Sequence, residues 1–267
     1  MAIANTTEVP ETATGARRIS ILGATGSIGM STADLVRRNP EKFDVSVLTA
    51  NRNVKDLAAL ARELRPSLAI VADETAYADL KQALADTDIE VAAGADALVD
   101  AAQEPVDLTV AGIVGAAGLE ATLAAIRQGA IVALANKECL VCAGDLVLEE
   151  CARSGTTLLP LDSEHNAIFQ VFETENAKDV EKLILTASGG PFRTWSRDQM
   201  AAATPKQAIA HPNWDMGRKI SVDSATMMNK GLELIEAAYL FPVLPRNIDV
   251  LVHPQSVVHS MVAYVDG

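Results

Sequence analysis

Three acidic residues have the type and spacing of ligands for a divalent metal ion. Asp162 and Glu164 lie two residues apart in L-P-L-D-S-E-H-N, and on an extended segment this spacing places both carboxylates on the same side. Glu233 and Glu236 lie at helical spacing in N-K-G-L-E-L-I-E, so that one of them would face a site and the other solvent. Hard divalent cations prefer carboxylate oxygens. The alternatives are helix capping by one of the first two acids and a merely solvated Glu233.

A second group of residues could hold a phosphate. Ser188 begins an S-G-G turn after the predicted strand Leu183–Ala187, and the amides of such a turn can form an anion-binding nest. Ser224, Asn229 and Lys230 add hydroxyl, amide and ammonium groups, and lysine is a common charge partner of phosphate. An ordinary turn explains S-G-G equally well.

Histidine and cysteine residues give weaker signals. His211 begins H-P-N-W, a loop in which the ring of Trp214 could close over a ligand, although a single His or Trp is more often structural. Cys139 and Cys142 form a C-x-x-C pair, which suits a redox pair or half of a zinc site. No second C-x-x-C or His pair completes a tetrahedral zinc site. Because the surrounding sequence is mostly apolar, we interpret the cysteines, including Cys151, as small buried hydrophobic residues.

The motif G-A-T-G-S-I-G, Gly23 to Gly29, has the pattern of a dinucleotide-binding turn. It follows the first predicted strand and opens the first helix, where glycines let the backbone approach a pyrophosphate and helix amides meet its charge. After the second strand, L-T-A-N-R-N lacks the carboxylate that NAD enzymes place against the ribose 2′-hydroxyl. Arg52 would suit a 2′-phosphate there, which favours NADPH over NADH. The alternatives are an ordinary β–α turn and a solvated arginine.

The elements that must position these residues begin with a predicted doubly wound α/β sheet. Short apolar runs alternate with helical stretches such as V-K-D-L-A-A-L-A-R-E-L-R. Strands that are apolar throughout and separated by helices indicate a parallel sheet that is covered on both faces. The predicted strands are Ile19–Leu22, Val45–Thr49, Leu68–Ala72, Ile89–Ala92, Leu108–Ala111 and Ile131–Ala135.

Three segments are predicted along the chain. Residues 1–16 form a disordered tail, residues 17–160 a Rossmann-like NADPH-binding domain, and residues 161–267 an α+β catalytic, connective and dimerisation domain. Loops rich in proline, glycine, serine and histidine follow residue 160, and such loops usually carry functional groups. The chain ends in an alternating strand that runs into Asp266-Gly267, a hairpin signal without a return strand. We therefore expect a C-terminally truncated chain.

Composition narrows the class of partner. The 267 residues carry a formal net charge of -13, which disfavours a nucleic-acid partner. No stretch reaches the ~18 consecutive apolar residues of a membrane helix. The N-terminus has neither the basic leader nor the apolar run of a signal peptide. We expect a cytoplasmic protein with no membrane and no nucleic-acid partner.

Seven motifs, in order, resemble those of the 1-deoxy-D-xylulose 5-phosphate reductoisomerase family, which serves the methylerythritol phosphate route to isoprenoids. They are G-A-T-G-S-I-G, A-N-K-E, L-D-S-E-H-N-A-I-F-Q, A-S-G-G-P-F, H-P-N-W-x-M-G, S-x-T-M-x-N-K-G-L-E and H-P-Q-S-x-V-H-S, and the resemblance runs from Arg18 to the last residue. It implies an NADPH-dependent and Mg²⁺- or Mn²⁺-dependent conversion of a sugar phosphate, 1-deoxy-D-xylulose 5-phosphate, to 2-C-methyl-D-erythritol 4-phosphate. It also implies a homodimer, and a C-terminal helical domain that is apparently absent from this sequence.

The resemblance also implies roles for individual residues. The metal ligands would be Asp162, Glu164 and Glu233. The substrate would be held by Ser163, Ser188, His211, Ser224, Asn229 and Lys230, together with Glu164 and Glu233. NADPH would contact Thr25, Gly26, Ser27, Ile28, Asn51, Arg52, Asn53, Asn136, Glu138 and Gly217, although Asn51 departs from the glycine that many members have there. Lys137 and His211 would join the three acids as catalytic residues, with Lys137 close to the metal and substrate.

Two other functions compete with this one. A short-chain-type NADP dehydrogenase or epimerase shares the glycine-rich opening and uses Tyr-x-x-x-Lys, which Tyr77 and Lys81 match. That pair falls on the helix after the third predicted strand, too early to reach the nicotinamide end of the sheet. A non-catalytic NADP-binding module would bind the cofactor without requiring a metal.

Overall fold

The computed structural model describes residues 15–211 and 217–266. Most of the predicted tail, the residues 212–216 of the H-P-N-W-x-M-G motif and Gly267 lie outside the described residues. The chain divides into two compact units, with Leu161 the last residue of the first and Asp162 the first residue of the second. No helix of the described ranges is long and apolar enough to cross a membrane.

The first unit is a sheet of seven parallel strands with helices between them, so the predicted Rossmann-like α/β fold is confirmed. All six predicted strands form, with small differences at their ends. The strands are β1 (Arg17–Leu22), β2 (Phe43–Ala50), β3 (Leu68–Val71), β4 (Glu90–Ala93), β5 (Leu108–Ala111), β6 (Ile131–Leu134) and β7 (Thr157–Pro160). The helices are α1 (Ser27–Arg38), α2 (Val54–Leu64), α3 (Tyr77–Ala83), α4 (Ala95–Ala101), α5 (Leu119–Ile126) and α6 (Glu138–Ser154).

The order of the strands is β4-β3-β2-β1-β5-β6-β7. The chain therefore adds strands in one direction from β1 to β4 and in the other from β5 to β7. In sheets of this kind, ligands bind outside the carboxyl ends of the strands at the point where the direction reverses, which here lies between β1 and β5. The glycine-rich turn follows β1 and therefore lies at this point.

The core of the first unit explains why these segments fold as they do. Central strands bury side chains on both faces: Ile21 and Leu48 are almost fully buried in one apolar cluster, and Val47 and Ile70 in another. Helix α2 places Leu57 and Leu60 at helical spacing against the sheet, while its charged residues face outward. Helices thus pack on the sheet through apolar clusters that hold the strand ends in place.

In its described residues, the second unit combines a three-stranded sheet with five α-helices. Its strands are β8 (Val180–Ala187), β9 (Ile248–Val252) and β10 (Ser260–Tyr264), in the order β10-β8-β9, with β10 antiparallel and β9 parallel to β8. Its helices are α7 (Ser163–Val171), α8 (Arg197–Ala201), α9 (Pro205–Ala208), α10 (Arg218–Ala225) and α11 (Met228–Leu240).

Helices α7 and α11 pack together in the core of the second unit. The rings of Phe172, just after α7, and Phe241, just after α11, lie 5.4 Å apart between centroids. Ile168 of α7 and Leu240 of α11 are also buried. This packing fixes the two helices that carry Glu164 and Glu233.

Candidate active site

Three carboxylates of the second unit converge. Asp162, Glu164 and Glu233 each offer an oxygen atom, and these oxygens lie within 4.8 Å of one another. Asp162 holds the N-cap position of α7, but its side chain makes no capping hydrogen bond there. Glu233 is 1% exposed. Neither helix capping by Asp162 nor solvation of Glu233 therefore explains these acids.

The ammonium of Lys230 contacts two of these carboxylates. Its Nζ donates to Oε1 of Glu164 at 3.1 Å and also to Oε2 of Glu233. Burial raises the pKa of Glu164, the charges of Glu233 and Asp162 also raise it, and Lys230 lowers it. The three carboxylates therefore attract positive charge, and the single charge of Lys230 balances them only in part. An all-carboxylate donor set of this kind fits a hard divalent cation.

A second acidic cluster shares Asp162 with the first. It adds His165 and Glu236, whose side chains are 0% and 1% exposed. Nε2 of His165 donates to the backbone oxygen of Glu233 at 2.9 Å, and Nδ1 lies 3.0 Å from Oε2 of Glu236. The contact between Nδ1 of His165 and Oε2 of Glu236 is an ion pair, because its geometry is not that of a hydrogen bond.

The His165–Glu236 pair is closed to a metal ion. Burial alone would lower the pKa of His165, but the carboxylate of Glu236 outweighs it and raises the pKa to about 9. A catalytic metal also needs a ligand position open to substrate, which two fully buried side chains do not give. The first cluster is therefore the candidate metal site.

The burial of Glu236 was not predicted from the sequence. The helical spacing predicted that one of Glu233 and Glu236 faces solvent, and this prediction is wrong because both are buried. The available signal was weak: a histidine directly follows Glu164, and a second glutamate lies one turn after Glu233. Only the packing of α7 against α11 turns these positions into a buried ion pair.

The predicted substrate residues Ser188 and His211 come together. Oγ of Ser188 lies 2.9 Å from Nε2 of His211 and accepts a hydrogen bond from the backbone N–H of Gly190 at 3.2 Å. Arg193 donates to the carbonyl oxygen of Ser188 at 3.3 Å. Burial and the charge of Arg193 lower the pKa of His211. A neutral ring nitrogen can accept a hydrogen bond from the hydroxyl group of Ser188. The two side chains thus form a polar surface for a ligand.

Gly190 brings the S-G-G turn against the end of α10. It has a φ of +64°, and a Cβ atom at this position would lie 2.5 Å from the carbonyl oxygen of Ser224. Only glycine therefore allows this approach. The predicted phosphate residues Ser188 and Ser224 thus belong to two segments in direct contact.

Asn229 and Lys230 lie at the carboxylates. Nδ2 of Asn229 donates to Oε1 of Glu233. Ser163, also predicted to hold substrate, donates its hydroxyl to Oε2 of Glu164 at 2.8 Å. Side chains predicted for the metal and for the substrate therefore form one hydrogen-bonded group in the second unit.

The glycine-rich turn of the first unit has the geometry that its sequence predicts. Gly23 has a φ of +84°, and a Cβ atom there would lie 2.7 Å from the carbonyl oxygen of Gly112, just after β5. A Cβ atom at Gly29 would overlap the backbone of Gly23 and Ala24. Gly26 is the N-cap of α1, with no side-chain cap. The first amides of α1 can therefore meet an anionic group.

Other predicted cofactor residues lie in loops after the strands. Arg52, after β2, is 73% exposed, and its Nη2 lies 3.0 Å from Oδ2 of Asp73. Asn53 caps α2 by accepting from the N–H of Asp56 at 3.2 Å. Asn136, after β6, is buried and donates to the carbonyl oxygen of Gly115 at 2.9 Å.

The remaining predicted residues are divided between the two units. Lys137 is buried beside Asn136, and Glu138 opens α6. Thr25 is half-buried, whereas Ser27, Ile28 and Asn51 are exposed. Gly217 is the N-cap of α10, in the second unit.

The Tyr-x-x-x-Lys string lies where the sequence predicts. Tyr77 and Lys81 are on α3, and Nζ of Lys81 lies 5.5 Å from the centre of the Tyr77 ring. Helix α3 connects β3 to β4 at the far edge of the sheet. The pair is therefore remote from the reversal point between β1 and β5, where a dehydrogenase needs it.

Two family models match the chain. One is described as 1-deoxy-D-xylulose 5-phosphate reductoisomerase and matches residues 19–144. The other is described as the C-terminal domain of 1-deoxy-D-xylulose 5-phosphate reductoisomerase and matches residues 158–241. Together these models cover most of both units.

Curated relatives have the same description. The 1-deoxy-D-xylulose 5-phosphate reductoisomerase of Rhodospirillum centenum is 65% identical over 253 residues, which cover 95% of this chain and 63% of that protein. The one of Zymomonas mobilis is 60% identical over 251 residues, which cover 94% of this chain and 65% of that protein. This chain therefore spans somewhat less than two thirds of their length.

Solved structures that resemble this chain have the same description as these relatives. The Zymomonas mobilis 1-deoxy-D-xylulose 5-phosphate reductoisomerase in complex with NADPH superposes with a TM-score of 0.89 and 58% identity, over 94% of this chain and 65% of that one. A DOX-P reductoisomerase in complex with NADPH, fosmidomycin and magnesium gives a TM-score of 0.89 and 48% identity, over 94% and 64% of the two chains.

Proposed function

The chain belongs to the 1-deoxy-D-xylulose 5-phosphate reductoisomerase family, and we propose that it carries out the family's reaction. In this reaction 1-deoxy-D-xylulose 5-phosphate is rearranged and reduced to 2-C-methyl-D-erythritol 4-phosphate, with NADPH and a divalent metal ion. The observation that carries the proposal is the convergence of Asp162, Glu164 and Glu233 around one point beside a buried lysine. A module that only bound NADP would not need three converging acids at one place.

The second unit supplies the metal and substrate groups. Asp162, Glu164 and Glu233 hold the cation, because together they place carboxylate oxygens within the reach of one ion. Ser188 and Ser224, on segments that touch at Gly190, hold the phosphate together with Asn229 and Lys230. His211 contributes a ring nitrogen beside Ser188.

The first unit supplies the cofactor groups. The amides at the start of α1 and the residues Thr25 to Ile28 meet the pyrophosphate, and Arg52 and Asn53 follow β2, where the ribose lies in folds of this kind. Arg52 binds the 2′-phosphate through its fixed fork of donors. Asn136, Lys137 and Glu138 follow β6 at the carboxyl edge of the sheet. The resemblance further implies a catalytic role for Lys137 and a cofactor contact for Gly217.

These positions indicate what the cation, NADPH and the protein each contribute to the reaction. When bound, the cation stabilises negative charge on the oxygens of the substrate, and NADPH supplies the hydride for the reduction. The protein's own part is to hold the phosphate end at Ser188 and Ser224 while the acids fix the reacting end. Two attachment points orient the substrate, and orientation of this kind supplies a large share of catalysis. Assembly as a homodimer and a cytoplasmic location remain predictions from the resemblance and the sequence.

The direct test follows the absorbance of NADPH on addition of 1-deoxy-D-xylulose 5-phosphate, with and without Mn²⁺. We expect consumption only when both are present, and none with the Glu233→Gln variant. The matched control is Asp249→Asn, a carboxylate-to-amide change in the same unit at an exposed residue paired with Lys182 at 2.6 Å. NADPH binding without any binding of Mn²⁺ would favour the non-catalytic module and contradict the proposal.

A further inference from the structure

Lys230 is in a position that its expected role does not explain. A lysine that serves the substrate phosphate should present a free ammonium, yet the side chain of Lys230 is 6% exposed and its Nζ lies against Glu164 and Glu233. The ammonium is a compact point charge on a flexible stem of four carbons. In this arrangement the ammonium is directed at the two carboxylates.

The position of the ammonium overlaps with that of the cation. Glu164 and Glu233 are two of the three acids that offer oxygens to one ion. A divalent cation ligated by the same oxygens would repel a positive charge in direct contact with them. Lys230 therefore neutralises part of the charge of Glu164 and Glu233, and a cation ligated by the same oxygens would compete with its ammonium for them.

The chain gives the displaced ammonium a short path to the phosphate residues. Ser224 and Lys230 are separated by one tight turn, in which Met227 has a φ of +60°. The N–H of Met227 donates to the carbonyl oxygen of Ser224, and the N–H of Lys230 donates to that of Met227, both at 3.1 Å. Ser224 and the flexible stem of Lys230 therefore lie on either side of one backbone turn.

We propose that Lys230 couples the metal to the phosphate: its ammonium and the divalent cation are alternative counter-ions of Glu164 and Glu233, and metal binding releases the ammonium to the phosphate of the substrate. The proposal rests on the proposed metal site and deepens it. Its consequence is that metal and phosphate each strengthen the binding of the other, because a coupling between two ligands is reciprocal.

The test measures Mn²⁺ binding by calorimetry, without and with saturating methyl phosphate, a phosphate monoester that lacks the hydroxyl and carbonyl of the substrate. For the unmodified chain we expect Mn²⁺ to bind about five- to tenfold more tightly when methyl phosphate is present. Methyl phosphate should in turn bind more tightly in the presence of Mn²⁺ by the same factor. Equal Mn²⁺ affinities with and without methyl phosphate would overturn the proposal.

The Lys230→Met variant separates this role from a purely structural one. Without the competing ammonium we expect tighter Mn²⁺ binding than in the unmodified chain, and no effect of methyl phosphate. Thermal unfolding gives a second readout: the variant should unfold at a lower temperature without metal, and Mn²⁺ should raise that temperature by more than it does in the unmodified chain. Lys182→Met, which removes an exposed lysine of the same unit, is the control and should change neither quantity.

The outcomes are distinguishable from failure of the proposed function. Absence of Mn²⁺ binding in the unmodified chain would overturn the metal site and this proposal together. Mn²⁺ binding that is unchanged or weaker in Lys230→Met, or that still responds to methyl phosphate there, would overturn this proposal alone. If Lys230→Met fails to fold, the effect of methyl phosphate on Mn²⁺ affinity is measured in the unmodified chain and in the charge-retaining Lys230→Arg variant. The absence of this effect in the unmodified chain overturns the proposal. Its presence in both proteins supports the proposal.

Discussion

Nε2 of His165 donates a 2.9 Å hydrogen bond to the backbone oxygen of Glu233, one of the three acids of the candidate metal site. The same ring pairs with Glu236, one turn further along α11. A single buried side chain of α7 thus holds two positions of α11. Because Glu164 directly precedes His165, this contact sets the position of Glu164 relative to Glu233.

We predict that His165→Gln lowers the free energy of unfolding by about 3–5 kcal/mol, because Glu236 is left buried without a charge partner. The double variant His165→Gln/Glu236→Gln should recover part of this loss, since it removes the charge that was left unpaired. Urea unfolding of the metal-free protein measures both. A single variant as stable as the unmodified chain would show that the ion pair does not hold the two helices.

We predict that Arg52 selects NADPH over NADH. Arg52→Asp should weaken NADPH binding by about 10- to 100-fold, because a charge-assisted contact to the 2′-phosphate becomes a repulsion, and it should leave NADH binding nearly unchanged. Fluorescence titration with each cofactor measures the two affinities. The control is Arg62→Gln on α2, whose guanidinium pairs with Asp86. Equal loss for both cofactors would contradict the assignment.

The cysteines should differ strongly in reactivity with pH. Burial, and to a smaller extent the charge of Glu150, raises the pKa of Cys151 to about 12. Its thiolate fraction at pH 8 is therefore about one in ten thousand, and it grows only as the pH approaches 12. Cys142 is exposed. Iodoacetamide at pH 8 should therefore modify Cys142 first and Cys151 only after unfolding, and mass spectrometry after Cys142→Ser should show no rapid labelling.

The sheet of the first unit could be predicted because its signals are local. Strands such as β1 and β5 are short apolar runs bounded by turns, and G-A-T-G-S-I-G encodes its own geometry through Gly23 and Gly29. The apolar runs and the glycine motif are both determined by residues adjacent in sequence. The connections between parallel strands have a fixed handedness.

The candidate site could be predicted only in part. Residue types and spacing indicated Asp162 and Glu164 as a pair, but the burial of Glu236 and the contact of Lys230 with the acids depend on how α7 packs against α11. The interpretation of the cysteines as buried was correct for Cys139 and Cys151 and wrong for Cys142, which is exposed. Distances between helices that are about 70 residues apart in sequence are not encoded in local periodicity.

The most direct measurement of the central claim is calorimetric titration of the chain with Mn²⁺. We predict binding of one ion by the unmodified chain, and affinities about 10- to 100-fold weaker for Asp162→Asn, Glu164→Gln and Glu233→Gln, with NADPH binding nearly intact in each. Asp249→Asn should bind Mn²⁺ like the unmodified chain. Unchanged Mn²⁺ affinity in all three variants would contradict the assignment of these acids as the metal site.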